Sequence, residues 1–410
     1  MDEQKYNEIT EQPCEDTVED IQVSDQQDSK ALDTAATDAL INQAAPPQEE
    51  NPRKKSRWLG NVFFVLSIVL SLYLMYSFAS SNELGREKGF LQVFAEIKVE
   101  YLILSISTLI AMILLDSLKY VVIMRATRIK ANYGTALYIG LLGKYYDNIT
   151  PFSSGGQPMQ IYYLHKKGIG GGESSAIIFI KFAFNMTMWL IICFCLMLFN
   201  RDVLITHVED LTQRNLLSVA GWIGFAFNCA LPLLIVFCVI FPKMTWAITR
   251  WILNIGHKLK IVKNKESRLE RGRRAVDGFV AAFVSMLKRP LHSIILALLC
   301  IAEPFLSMML PFFVVVAIGG PEVTPSLQLM FEIMTLNVYA QMSAMIVPTP
   351  GNSGAVESAF MLALTTLSTG ALFWTVFSWR FLSYYSYIII GTCIIIHQLI
   401  KNNRRRKTTL

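Results

Sequence analysis

At 410 residues, with 53% hydrophobic and only 17% charged residues, the chain is too apolar to be a soluble protein of its size. Fourteen of its 31 acidic residues but only two of its 37 basic ones lie in the first fifty positions, so the rest is strongly basic although the formal net charge is only +6. Such a chain does not read as a nucleic-acid binder. Six of its seven cysteines (Cys193, Cys195, Cys229, Cys238, Cys300, Cys393) fall inside apolar runs with no disulfide, zinc or redox spacing, so neither metal nor cofactor is expected.

Residues 1–52 are acidic, almost free of aromatics, and too polar to bury the area that would offset ordering, so a disordered tail is expected. With no basic start and no early apolar core, it is not a signal peptide. Residues 58–80 form the first apolar span, an uncleaved anchor preceded by Arg53, Lys54, Lys55 and Arg57. That flank places the amino terminus in the cytoplasm. A second span, 101–124, is followed by Arg125, Arg128 and Lys130, again on the cytoplasmic side.

Residues 134–163 come next and do not read as a span. The apolar run ahead of Gly143 is far shorter than the ~20 residues a crossing needs, and GKYYDNITPFSSGGQP, 143–158, interrupts it. Pro151 cannot continue a helix, and Gly155 with Gly156 supplies backbone freedom. Irregular backbone at membrane depth survives only where protein or water covers it. Basic residues flank the segment on both sides, which makes it a re-entrant hairpin from the cytoplasmic face.

Spans at 174–199 and 216–241 are joined by a loop holding Asp202, Glu209 and Asp210, expected outside. Residues 243–289 carry twelve Lys or Arg against Glu266, Glu270 and Asp277, interleaved with Trp246, Trp251, Ile252 and Ile255. They read as amphipathic helices on the cytoplasmic surface. A run at 291–318 crosses outward, kinked or broken at Pro304 and Pro311, and a last span at 371–400 ends inside, before the basic tail 403–410. Between them PTPGNSGAVE, 348–357, is a second Gly/Pro break. The fold expected is all-α and polytopic, with about six spans and two re-entrant hairpins entering from opposite faces, a possible inverted repeat.

Ionisable groups inside apolar runs cost roughly 2.5–3.5 kcal/mol each on insertion scales and so ask for a reason. Lys181, Glu303, Glu332 and Arg380 are such residues. Lys181 shares a helix face with Asn185, and Arg380 with Tyr384, each at i and i+4. Glu332, near an interface, reads as a snorkelling side chain or an interhelical ion pair that only sets packing, and Asp116 with Lys119 as a structural pair. In the first break Asp147, Asn148, Thr150, Ser153, Ser154 and Gln157 offer donors and acceptors, and the Gly155 and Gly156 amides are open to an anion. Asn352, Ser353 and Glu357 repeat the theme in the second, beside Pro350 and Gly351, with a helix starting near Asn352. The bland reading of both is a pair of tight turns.

The passages YYDNITPFSSGGQPMQIYYLHKKGI (145–169), PTPGNSGAVE (348–357) and WRFLSYY (379–385) resemble the lysylphosphatidylglycerol synthase transmembrane-region family, the membrane half of the multiple peptide resistance factor. Gly351-Asn352 stands where Gly-Gly is commoner after the late Pro-Thr-Pro. The resemblance implies a bacterial membrane domain that moves an aminoacylated phosphatidylglycerol between leaflets. It also implies a separate soluble domain transferring lysine from lysyl-tRNA, and the chain ends after its last span with no room for one. The expected function is therefore binding and translocation of a phospholipid by a multi-pass plasma-membrane protein. Lys181 and Arg380 would take the phosphate, and Asp147 and Glu357 a cationic head group. The partners this admits are membrane phospholipid, a separate lipid synthase and a second copy of the chain. The rivals are a lysyltransferase-type enzyme with Asp147 or Glu357 as base, and a carrier of a polyprenyl-linked sugar or small polar solute.

Overall fold

A computed structural model of the chain describes residues 69, 73, 90–130, 132–258, 265–345, 347, 349–364 and 371–408. The acidic tail and most of the predicted first span lie outside them; Val69 and Tyr73 are helical and exposed. All but one of the described segments with regular structure are α-helices, the exception being a single π-helical turn, and no strand occurs among the described residues.

In chain order the helices are α1 (Phe90–Ala95), α2 (Val99–Ala126), α3 (Tyr133–Ile149), α4 (Gly156–Lys166), α5 (Gly171–Phe199), α6 (Val203–His207) and α7 (Leu211–Ile240). They continue as α8 (Pro242–Lys258), α9 (Lys265–Leu287), α10 (Pro290–Ile318), α11 (Leu327–Ala344), α12 (Ala355–Ala363), α13 (Leu372–Arg380), the π-helical turn Phe381–Tyr385 and α14 (Ser386–Thr408). Local chemistry sets several starts. Asn132, Asp210 and Ser326 each cap a helix by accepting from a backbone amide two or three residues on, and Pro290 opens α10, where its missing N–H costs nothing.

Five helical segments among the described residues are long and apolar enough to cross a membrane: Val99–Ala126, Gly171–Phe199, Leu211–Ile240, Pro290–Ile318 and Leu372–Gln398. They match the second to sixth predicted spans. Much of their apolar surface faces outward; on α7 alone Leu216, Val219, Ile223, Phe227, Leu233 and Ile240 are exposed. Water would oppose so large an apolar surface, and a lipid surround accounts for it. The chain is thus an all-α multi-pass membrane protein.

Residue contacts fix the ends of the bundle. Lys98, ahead of α2, donates its amide to Ala317 O near the end of α10 (3.0 Å) and its Nζ to Val323 O (2.7 Å). At the opposite end of α2, Arg289 donates from Nη1 to Arg125 O at 3.1 Å. α2 and α10 therefore run antiparallel. α3 begins just beyond the Arg125 end of α2, and α11 begins just beyond the Ile318 end of α10, so the two broken hairpins enter the bundle from opposite ends. α7 carries Gly221 and Gly224 against α11, where a Cβ would meet the Tyr339 ring and the Met342 backbone.

Of the two expectations for the prolines of the 291–318 run, the broken helix is ruled out. α10 runs through Pro304 and Pro311 without interruption, as α7 does through Pro232. A single proline removes one helical hydrogen bond, and here close packing along α2 and α5 holds the helix together across the gap. At Pro151 and Pro350, by contrast, proline is followed by left-handed residues and the helix stops.

Candidate functional site

Both breaks are built the same way. After Pro151, Phe152 and Ser153 take φ of 55° and 50°; after Pro350, Gly351 and Asn352 take 56° and 54°. In each a turn closes three residues on, from Ser153 N to Thr150 O (3.2 Å) and from Asn352 N to Thr349 O (3.1 Å). The left-handed positions of the first break are thus Phe152 and Ser153, whereas Gly155 has φ −85°. The Gly155-Gly156 pair is there for space: a Cβ on Gly156 would lie 2.6 Å from Gly143 O.

The breaks touch. Pro151 and Pro350 form an isolated antiparallel bridge. Tyr384, on the π turn, donates its hydroxyl to Asn148 O (2.9 Å) and Pro350 O (3.3 Å), and Asn148 Nδ2 donates back to Tyr384 O (3.1 Å). A Cβ on Gly351 would collide with the Tyr384 ring. Pro348 lies outside the described residues.

Alignment on the breaks exposes a signal that sequence reading passed over. Thr150-Pro151 and Ser154-Gly155 recur as Thr349-Pro350 and Ser353-Gly354, 199 residues later, and the same interval separates Lys181 from Arg380 and Asn185 from Tyr384. The two intramembrane cations occupy equivalent positions of two structural repeats: long helix, broken pair, long helix. α6 to α9 lie between them.

Their surroundings differ. Arg380 is closed in by its own repeat. Its Nε donates to Glu357 Oε1 at 2.5 Å, its Nη2 to Gly351 O at 3.0 Å, and its guanidinium lies 4.8 Å from the Tyr384 ring centroid. Glu357 also accepts the Gly354 amide through Oε2 at 2.7 Å, capping α12, which starts at Ala355, close to Asn352 as expected; Asn352 O accepts the Val356 amide at 3.2 Å.

Lys181 instead joins a ladder of alternating charge. Its Nζ lies 2.7 Å from Asp116 Oδ1; Asp116 is 3.9 Å from Lys119, Lys119 is 2.9 Å from Glu303, and Glu303 is 3.9 Å from Lys144. Lys119 also donates to Asn185. The inner members are buried, whereas the Lys144 side chain is 37% exposed. Along α10 the buried residues switch from one apolar cluster, through Cys300, to another, from Met308, and Glu303 sits at that seam. α5 switches likewise between Ala183 and Leu190, beyond Lys181 and Asn185. The ladder is therefore a polar layer between two cores.

The remaining predicted positions sort accordingly. Asp147 accepts the Gly156 amide at 2.8 Å through Oδ1, and Thr150 Oγ1 accepts the Gly155 amide at 2.8 Å. Neither amide is open to an anion as expected; both cap the start of α4. Gln157 is half-buried in the first turn of α4. Asp116 and Lys119 are not an isolated pair but the middle of the ladder. Glu332 lies 3.2 Å from His207, the interhelical pairing expected of it. Sequence reading missed Lys144, Tyr120 and Gln160. Gln160 Nε2 donates to Tyr120 Oη (2.7 Å) and Ile139 O (2.8 Å), pinning α4 to α2 and α3, and Lys181 Nζ lies 5.2 Å from the Tyr120 ring centroid. Lys144 was visible as a cation one helical turn before Asp147, and the others carry no mark short of tertiary contact.

Two broken hairpins opposed across an apolar bundle, with a layer of buried charge, define a class: polytopic membrane proteins built on paired, interrupted helices. The chain belongs to the family described as the lysylphosphatidylglycerol synthase TM region, whose sequence model matches residues 64–391. No curated protein and no solved structure matches it.

Proposed function

We propose that the protein binds a phospholipid through its head group and carries it between leaflets, the substrate being an aminoacylated phosphatidylglycerol. The observation that carries this reading is the contact of Pro151 with Pro350, which joins two hairpins from opposite ends of the bundle beside two equivalent cations. A head group crossing there trades water for ion-pair partners already in place. The lipid phosphate displaces a carboxylate from Lys181, at the partly exposed side of the site, while Arg380 stays paired with Glu357 and holds the second break in shape.

The membrane is the plasma membrane, with both termini in the cytoplasm. Exposed Arg125, Arg128, Lys130, Lys166, Lys167 and Lys288 all lie at the end of the bundle from which α3 enters, and the positive-inside rule makes that end cytoplasmic.

Proteoliposomes with a leaflet-resolved lipid assay test the reading. Wild-type protein equilibrates labelled lysylphosphatidylglycerol, and Lys181→Ala and Arg380→Ala slow it at least tenfold; wild-type rates in both remove these residues from the mechanism. The word synthase in the family description favours a second reading, a lipid-modifying enzyme or its membrane partner. Incubating purified protein with labelled lysyl-tRNA and phosphatidylglycerol separates the two, because only the enzyme yields lysyl lipid.

A further inference from the structure

At each break one carboxylate oxygen receives the amide that opens the short helix: Asp147 Oδ1 from Gly156, and Glu357 Oε2 from Gly354. At the second break the other oxygen of that carboxylate holds a cation, the Arg380 guanidinium, which also reaches Gly351 O. The first break repeats the backbone turn and also opens its short helix on a carboxylate, but that carboxylate precedes the break and takes the amide of Gly156, one residue past the counterpart of Gly354, and among the described residues it holds no cation. The residue equivalent to Arg380 is Lys181, and it turns away to Asp116 on α2.

The other lysines nearby are engaged as well. Lys144, one turn before Asp147, leans to Glu303, and Lys119 lies between Glu303 and Asp116. Among the described residues no basic side chain lies within 4.0 Å of the Asp147 carboxylate. Asp147 is half-buried, and Phe152 and Ser154 of the same break are exposed. A carboxylate partly withdrawn from water, holding one amide, gains from a charged donor on its second oxygen.

We propose that Asp147 Oδ2 receives the cationic group of the transported amphiphile, a primary ammonium or guanidinium, in the role that Arg380 fills at the other break. Arg380 is a built-in occupant at the second break, and it shows that a carboxylate capping a short helix in this fold takes a cation on its second oxygen. The assignment rests on the lipid reading above and narrows it: Asp147 alone, and not Glu357, meets the ligand's positive charge.

The test is equilibrium binding of short-chain phosphatidylglycerol and of its lysyl ester to the full-length detergent-solubilised protein. Wild type is expected to bind the lysyl ester about tenfold more tightly, the worth of one charge-assisted hydrogen bond. Asp147→Asn keeps an oxygen for the Gly156 amide and removes the charge, so it should bind both lipids alike, at the wild-type affinity for phosphatidylglycerol. That retained affinity also reports an intact site, and Asp147→Glu should restore part of the preference. Persistence of the preference in Asp147→Asn, or binding of both lipids by wild type without discrimination, overturns the proposal alone. Failure of wild type to bind either lipid overturns the lipid reading and this proposal with it.

Discussion

The first and second breaks share a backbone and differ in their electrostatics. Both follow Thr-Pro with two left-handed residues and a capped short helix, and they meet at Pro151 and Pro350. Yet Arg380 is satisfied within a few residues of its own break, whereas Lys181 is drawn across to a five-residue ladder spanning four helices. Repeated architecture fixes where a cation sits; the carboxylates available from non-repeated positions decide what it does. Glu357 has Pro158 as its counterpart in the first half, and Asp147 stands on the other side of its break, so the two halves cannot behave alike.

The comparison breaks most readily at Arg380. Arg380→Met strands the buried Glu357 carboxylate and should cost about 3–5 kcal/mol, read as a fall in thermal unfolding temperature in detergent. Adding Glu357→Leu should recover much of it; a cost below about 1 kcal/mol for the single variant would mean the second break is not locked by this pair.

Lys119→Met should cost less, roughly 2 kcal/mol in the same measurement, because Asp116 keeps Lys181 and Glu303 keeps Lys144. Equal losses at Lys119 and Arg380 would erase the distinction between a distributed network and a single lock.

Gly354→Ala forces a non-glycine residue to φ +87° and should cost about 1–2 kcal/mol whatever its neighbours are. Gly155→Ala carries no such strain, but its Cβ would lie 2.8 Å from Thr150 Oγ1, so Thr150→Ala should relieve part of its cost and have no such effect on Gly354→Ala. A double-mutant cycle reads both. Smallest is Tyr384→Phe, which removes the hydroxyl shared by Asn148 O and Pro350 O and should cost about 1 kcal/mol. If the contact between the breaks matters for transport, the same variant slows lipid exchange more than it lowers stability.

Much of the architecture was legible before any coordinates. Runs of about twenty apolar residues announced the spans because a bilayer admits few alternatives, and Pro with Gly and polar neighbours announced both breaks. Charge at the span ends sorted the two hairpins to opposite ends, as the antiparallel α2 and α10 confirm. Proline alone did not decide between a kink and a break at Pro304 and Pro311, since whether a helix survives it depends on what packs alongside. The glycines of the first break read as dihedral freedom in the sequence, but they supply space, which Thr150 demands of Gly155 and Asp147 with Gly143 O of Gly156. Lys181 and Arg380 stood out because charge within an apolar run is expensive. Their equivalence lay in a 199-residue interval that becomes meaningful only once the two breaks are superposed in conformation.

The sequence by itself determined the membrane class, the positions of the spans and the two places where the backbone leaves the helix, because these depend on local composition and on the solvent the chain must satisfy. Tertiary structure alone decided that Pro151 meets Pro350, that Glu357 claims Arg380 while Asp116 claims Lys181, and that Asp147 keeps one oxygen without a basic partner among the described residues. Ion pairing in a low-dielectric interior turns on differences of an ångström or two between side chains from distant helices, and no local pattern encodes such distances.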